Sequence, residues 1–288
     1  MVEDEINIIN DVSETLLIPL YARAIETKSK NPAIIDKKAV EITEKLNKTF
    51  SVSSSALHRD LAKGKIRRTA NKKLAAFLSI RSRKFDAYCK DFLKRNPSGT
   101  IVELGCGLSS RFSRIDNKAV EWYDLDLPEV IKIRKKFFVE TTRYHMISSS
   151  VLDFKWMDKI LAKDILFIAE GLFMYLHEGD VKALMLKLQQ KFPGCELACE
   201  VENTFIINTL KKKRWKKKFQ ADHHLGAEVT MYFGIENGND LEKWKEGIKF
   251  LDEWTIFDDR DKKLGWMNIF FFSKRLRKAQ WIVHYRLV

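Results

Sequence analysis

Glu103, Gly105 and Gly107 stand together in the run Thr100-Ile-Val-Glu-Leu-Gly-Cys-Gly-Leu-Ser-Ser-Arg111, and their types and spacing suit the binding of a nucleotide. A short apolar strand ends in an acid, and the chain then turns through two glycines. Glycine has no Cβ and tolerates positive φ, so such a turn lets the backbone come close to a ligand. About 20 residues past the first glycine, Asp126 or Asp124 ends a second strand-like stretch, where a carboxylate accepts ribose hydroxyls. Asp153 follows a third such stretch and is placed to reach an adenine edge, and the apolar run Ile165-Leu-Phe-Ile-Ala169 leads straight into Glu170-Gly171. The acid two residues before the first glycine suits a cationic amino-acid ligand and would repel a pyrophosphate. S-adenosylmethionine fits that description. Gly105-x-Gly107-x-x-Ser110 is one glycine short of the dinucleotide fingerprint, so an NAD-binding oxidoreductase is the alternative reading of the same loop.

Residues this far apart in sequence must be gathered by the ends of neighbouring strands. From residue 100 onward, strand and helix patterns alternate: strands over 101–104, 120–126, 144–147, 165–169 and 195–201, with a basic helix over 129–142. A further helix carries Val181, Leu184, Met185 and Leu188 at i, i+3, i+4, i+7 spacing. The continuous apolar run at 165–169 is that of a strand covered on both faces. The alternation predicts an α/β fold with a mostly parallel sheet and helices on both sides. Ligands of such sheets bind outside the carboxyl ends of strands where strand order reverses, between the first and fourth strands. Residues 1–95 carry few strand signals and read as a helical N-terminal extension, with a helix over 72–93. The stretch 203–240 breaks the rhythm and reads as a lid insertion. A helix near 241–251 and strands near 254–257 and 281–287 close the chain.

The 288 residues carry a net charge of +13, which favours anionic partners of any kind, from nucleic acid to small carboxylates. No apolar run reaches the ~18–20 residues needed to span a bilayer. The start, Met-Val-Glu-Asp-Glu, lacks the basic and apolar regions of a signal peptide, which leads to a cytoplasmic expectation. Four scattered cysteines (Cys89, Cys106, Cys195, Cys199) are expected to be packed thiols rather than disulfides or zinc ligands.

Four segments together resemble the leucine carboxyl methyltransferase family, and within it the TcmP-like polyketide O-methyltransferase branch. They are Ser13-Glu-Thr-Leu-Leu-Ile-Pro-Leu-Tyr-Ala-Arg-Ala24, Glu103 to Phe112, Trp122-Tyr-Asp-Leu-Asp-Leu-Pro-Glu-Val-Ile131 and Ala169-Glu-Gly-Leu-Phe-Met-Tyr-Leu176; the closing Trp281 to Leu287 is similar as well. The resemblance implies a class I S-adenosylmethionine-dependent methyltransferase, a Rossmann-like core over 96–288 with the 1–95 extension and the lid. It implies that Arg81, or Arg83 two residues on, pairs with the methionine carboxylate. Gly105 would approach the cofactor, Asp126 the ribose, Asp153 with Phe154 the adenine, and Glu170 the methionine amino group. S-adenosylhomocysteine would be the product.

Methyl transfer from a sulfonium is an in-line displacement in which the protein chiefly supplies alignment. An ionised carboxylate needs no base, whereas a phenol with pKa near 10 benefits from one. The expectation is therefore methyl esterification of a small or medium-sized organic acid, with no catalytic side chain required and Tyr175 a candidate for the acceptor pocket. A phenolic acceptor is the alternative. Lys211-Lys-Lys-Arg-Trp-Lys-Lys-Lys218 interleaves cations with an aromatic, as nucleic-acid binders do, but it also reads as a solvated face. Asp222-His223-His224 is a poor chelate, because adjacent side chains on an extended chain point to opposite faces. No metal site is expected.

Overall fold

The computed structural model describes residues 14–66, 71–211 and 230–288. The basic run over 212–218 and the paired histidines lie outside the described residues. Seven strands form one sheet: β1 (Thr100–Leu104), β2 (Glu121–Asp126), β3 (Tyr144–Ser148), β4 (Ile165–Ala169), β5 (Cys195–Glu202), β6 (Ile248–Thr255) and β7 (Gln280–Leu287). Their order is β3-β2-β1-β4-β5-β7-β6. The first five pair in parallel and β7 runs antiparallel between β5 and β6. This is the class I methyltransferase arrangement.

β1 and β4 are buried along their whole length, as apolar central strands covered on both faces must be. Four helices precede the sheet: α1 (Glu14–Thr27), α2 (Lys37–Phe50), α3 (Ala56–Ala62) and α4 (Asn71–Arg95). They do not form a core of their own. Leu17, Leu20, Ile42, Phe50, Ile80 and Phe85 pack into one cluster with Ile101, Leu166 and Ala198 from one face of the sheet. The opposite face packs Val102, Phe167 and Leu197 against Val181, Leu184, Met185 and Leu188 of the helix Glu178–Lys191. Each of those four helix side chains contributes roughly 1.5–3 kcal/mol by burial.

Two elements differ from the sequence expectation. The basic helix expected over 129–142 stops early, spanning Pro128–Arg134. Arg134 turns inward to a buried acid, and tight backbone bonds from Lys136 to Ile133 and from Phe137 to Arg134 carry Phe138 into the core. The helix expected over 241–251 is a single 3₁₀ turn, Asp240–Trp244, followed by β6. Gly247 at φ +88° breaks the helical path and starts the strand.

Candidate active site

β1 and β4 are parallel neighbours, with Glu103 in register with Ile168, so the loops leaving their carboxyl ends diverge around a common crevice. A cavity of about 450 Å³ opens there. Its lining combines Glu103, Gly105, Gly107 and Glu170 with apolar side chains that include Met174, Phe257, Met267 and Phe270. The helix α1 and the inner face of α4 roof it through Leu16, Arg23, Phe77 and Arg81.

Gly105 and Gly107 both sit at positive φ, +65° and +49°. A Cβ on Gly105 would come within 3.1 Å of the Leu172 side chain, and one on Gly107 within 3.0 Å of Leu16. The positive φ favours glycine at both positions, and an added Cβ would press on a leucine side chain at each. Gly105→Ala should cost about 1–2 kcal/mol of stability from the left-handed backbone alone. It should also weaken S-adenosylhomocysteine binding, since the turn lines the cavity and must shift as the methyl presses on Leu172. Urea unfolding and calorimetric titration of the variant measure the two effects; unchanged affinity would mean that the turn does not face the ligand.

The loop is tied from both sides. Asp126 accepts the Gly107 amide at 2.7 Å and the Leu127 amide at 2.8 Å. Burial raises its carboxyl pKa, against those amide bonds and Arg134. Arg134 donates to the carbonyls of Gly107 (2.7 Å) and Ser109 (2.9 Å). Asp124, the other candidate for the ribose, is withdrawn from that role by its surroundings. It is fully buried, ion-paired with Arg134, and accepts from Tyr144 (2.5 Å) and the Trp122 indole (2.9 Å). Its part is to anchor the arginine that holds the loop. Asp153 is exposed at the head of a 3₁₀ turn, Phe154–Lys159, where it caps Lys155, and half-buried Phe154 follows it.

The other end of the loop rests on a buried ionic network that sequence reasoning did not find. Arg111, fully buried, donates to Asp86 at 2.8 Å and is ion-paired with both Glu103 and Glu170. Arg114 bridges Asp86 and Asp36, each at 2.7 Å. Arg23 of α1 bonds Asp36 and the carbonyl of Leu108, both at 2.9 Å. Arg81 reaches Glu170 at 3.0 Å and Glu200 at 3.2 Å. Arg83 instead points outward to Asp261 and the Ala33 carbonyl. Burial pushes the Glu170 carboxyl up, but Arg81, Arg111 and Arg23 outweigh it and hold the pKa at about 2. Burial raises Glu103, with Arg111 opposing. Tyr175 lines the cavity beside Met174, and burial pushes its phenol up to about 12. Arg111, Arg114 and Arg23 left no signal in sequence, because their acids lie at 36, 86, 103 and 170, far apart along the chain.

The arrangement has the chemistry of an amino-acid and nucleoside site: acids for an ammonium group, an arginine for a carboxylate, and glycines where a ligand must come close. Comparison with known proteins agrees. The model of the leucine carboxyl methyltransferase family matches residues 17–189. The tetracenomycin polyketide synthesis O-methyltransferase TcmP of Streptomyces glaucescens is 31% identical over 249 residues, covering 86% of this chain and 84% of its own. The S-adenosyl-L-methionine-dependent methyltransferase dpfgK of Gibberella zeae is 26% identical over 288 residues, covering 93% and 89%. Among solved structures, a DUF574 family protein from Streptomyces avermitilis shares the fold with a TM-score of 0.56 at 10% identity, covering 84% of this chain and 96% of that one. The chain belongs to the leucine carboxyl methyltransferase family.

Proposed function

We propose that the protein is an S-adenosylmethionine-dependent O-methyltransferase that esterifies the carboxylate of a small or medium-sized, largely apolar organic acid. The observation that carries this reading is that one cavity is lined both by the glycine turn with Glu170 and by the apolar side chains Met174, Phe257, Met267 and Phe270. Membership of the family and the name of its polyketide-methylating relative support it. They also favour the methyltransferase reading of the glycine turn over the dinucleotide one.

Of the residues assigned to the cofactor, Arg81, Glu103, Gly105, Gly107 and Glu170 line the cavity and fit it, while Asp126, Asp153 and Phe154 lie outside that lining. Gly105 and Gly107 offer a wall without Cβ atoms, and Glu170 and Glu103 offer carboxylates toward an amino group. Arg81 is the arginine for the methionine carboxylate, Asp126 the acid for the ribose, and Asp153 with Phe154 the pair for the adenine. Bound there, S-adenosylmethionine supplies a methyl group on a sulfonium: an acceptor O–CH₃ bond forms as the S–CH₃ bond breaks, and the carboxylate and sulfonium charges cancel. No proton has to move. The side chains therefore need only hold the acceptor in line and keep water away, a task that falls to buried Met174 and Phe257 and half-buried Met267 and Phe270.

The test is methyl transfer from cofactor labelled in its methyl group to a panel of aromatic carboxylic acids and matched phenols. The expected product is an ester that releases its label as methanol in mild base. A base-stable ether as the sole product would sink the carboxylate reading and leave a phenolic methyltransferase.

A further inference from the structure

Three carboxylates, Glu196, Glu200 and Glu202, share one face of β5 with Ala198 between the first two, and α4 runs across that face in the opposite direction. Arg95 near the helix end grips Glu196 at 2.6 and 2.8 Å. Arg81, further toward the helix start, reaches Glu200 at 3.2 Å. Beyond it, toward the end of the strand, the helix presents Leu74, Phe77 and Leu78 to the cavity instead of a cation. Glu202 is the acid left over. It is 5% exposed and lines the cavity with Tyr175 and with Gln280, its register partner on β7. Among the described residues its carboxyl makes no hydrogen bond and no ion pair.

An unpaired carboxylate in so buried a position is costly in its charged form, so its surroundings favour the neutral carboxyl. Burial, then the charge of Glu200, raise its pKa well above the ordinary carboxylate range against the pull of Arg81. A protonated carboxyl has one O–H to donate. The cations among the described lining residues, Arg23 and Arg81, are already bonded to Asp36, Glu170 and Glu200. An anionic acceptor entering the cavity thus meets a donor at the end of β5 and no free positive charge among those residues.

We propose that Glu202 is the acceptor-recognition group of this site: its carboxyl hydroxyl holds one oxygen of an acceptor carboxylate and leaves the other free to attack. The inference rests on the carboxylate reading of the function. A hydroxyl donating to a carboxylate is charge-assisted, about twice as strong as a neutral bond. A phenol would instead require Glu202 to be ionised, to take the phenolic proton. The two roles give opposite pH dependences. The groups facing Glu202 are Glu200 on its own strand, Arg81 from α4, Tyr175 after β4 and the uncharged Gln280 from β7. Glu200 also titrates, its pKa pushed up to about 7 by burial against Arg81, so a variant at Glu202 itself must separate the two.

The experiment is calorimetric titration of the S-adenosylhomocysteine-loaded protein with 2-naphthoate between pH 6 and 9, with 2-naphthol as the comparison. Wild type should bind naphthoate progressively more weakly as pH rises through the Glu202 ionisation. Glu202→Gln keeps a donor and should stay within about threefold of wild type at pH 6, with that pH dependence lost. Glu202→Met keeps the volume without the donor and should bind about 10- to 100-fold more weakly, the loss of one hydrogen bond to a charged group. Unchanged S-adenosylhomocysteine affinity in both variants shows that the fold is intact. Naphthoate binding unaffected by Glu202→Met overturns the assignment while leaving the ester-forming reading in place. So does a Gln variant as damaged as Met, with wild-type binding that strengthens with pH. Wild-type protein that binds naphthol but not naphthoate overturns both.

Discussion

Arg111→Met should leave the protein unfolded or nearly so at room temperature. The guanidinium is fully buried, and it is the common partner of Asp86, Glu103 and Glu170, with the Ser82 hydroxyl at 3.3 Å and the Phe85 ring at 5.5 Å. Methionine fills most of the volume but leaves Glu103 without its cation and Asp86 and Glu170 short of one. Removing one member of a buried ion pair costs about 3–5 kcal/mol, because the remaining charge stays desolvated. Here three acids share the loss, against a total stability of about 5–15 kcal/mol for an ordinary domain. Arg114→Met should cost less, since Asp86 keeps Arg111 and Asp36 keeps Arg23. Urea unfolding followed by circular dichroism ranks the variants, and Glu103→Gln in the Arg111→Met background should recover part of the loss. An Arg111→Met protein within about 1 kcal/mol of wild type would mean that the network contributes little to stability.

The elements that position the site were largely legible, because apolar periodicity reports burial and burial is what the sheet provides. The continuous apolar run 165–169 read as a covered strand and 195–201 as a further strand, and the turn at Gly105 and Gly107 follows from glycine's freedom at positive φ. The errors arose where a local signal lost to a distant partner. Asp124 looked as good a ribose acid as Asp126 because both end β2 on the same face. Only the fold shows that Arg134, ten residues later, claims Asp124, while Asp126 stays at the loop. The same capture of Arg134 ends a helix that the basic pattern extended to 142. Arg111 stood in the run first singled out, yet nothing near it in sequence indicates that its partners lie at 86, 103 and 170. Glu202 was equally silent: an acid at the end of an apolar strand has meaning only once α4 supplies cations to Glu196 and Glu200 and none to it.

Arg81→Met, by contrast, should fold and lose the cofactor. Its guanidinium lines the cavity and is bonded to Glu170 and Glu200 at 3.0 and 3.2 Å. Glu170 keeps Arg111 when Arg81 is gone, and Glu200, already poised near neutrality at about 7, can take a proton. The fold therefore tolerates the loss better than it tolerates the loss of Arg111. On the proposed reading the same change removes the partner of the methionine carboxylate, and truncating one side of a buried hydrogen-bonded charge pair costs about 2–5 kcal/mol. Calorimetry should register S-adenosylhomocysteine binding weakened about 30- to 4000-fold. Arg83→Met is the matched control: that side chain is 41% exposed and engages Asp261 at 3.1 Å, away from the glycine turn. Its affinity should stay within about threefold of wild type. If the two arginines exchange these outcomes, Arg83 carries the carboxylate and Arg81 is structural. The acid limb of stability gives a second readout. Glu170, held at about 2, contributes stability that is complete above its unfolded pKa of about 4.3 and is lost as pH falls toward 2. Without Arg81 its native pKa rises toward the ordinary value, so that contribution shrinks and its loss begins at higher pH. Arg83→Met, which leaves Glu170 untouched, should show the wild-type acid limb.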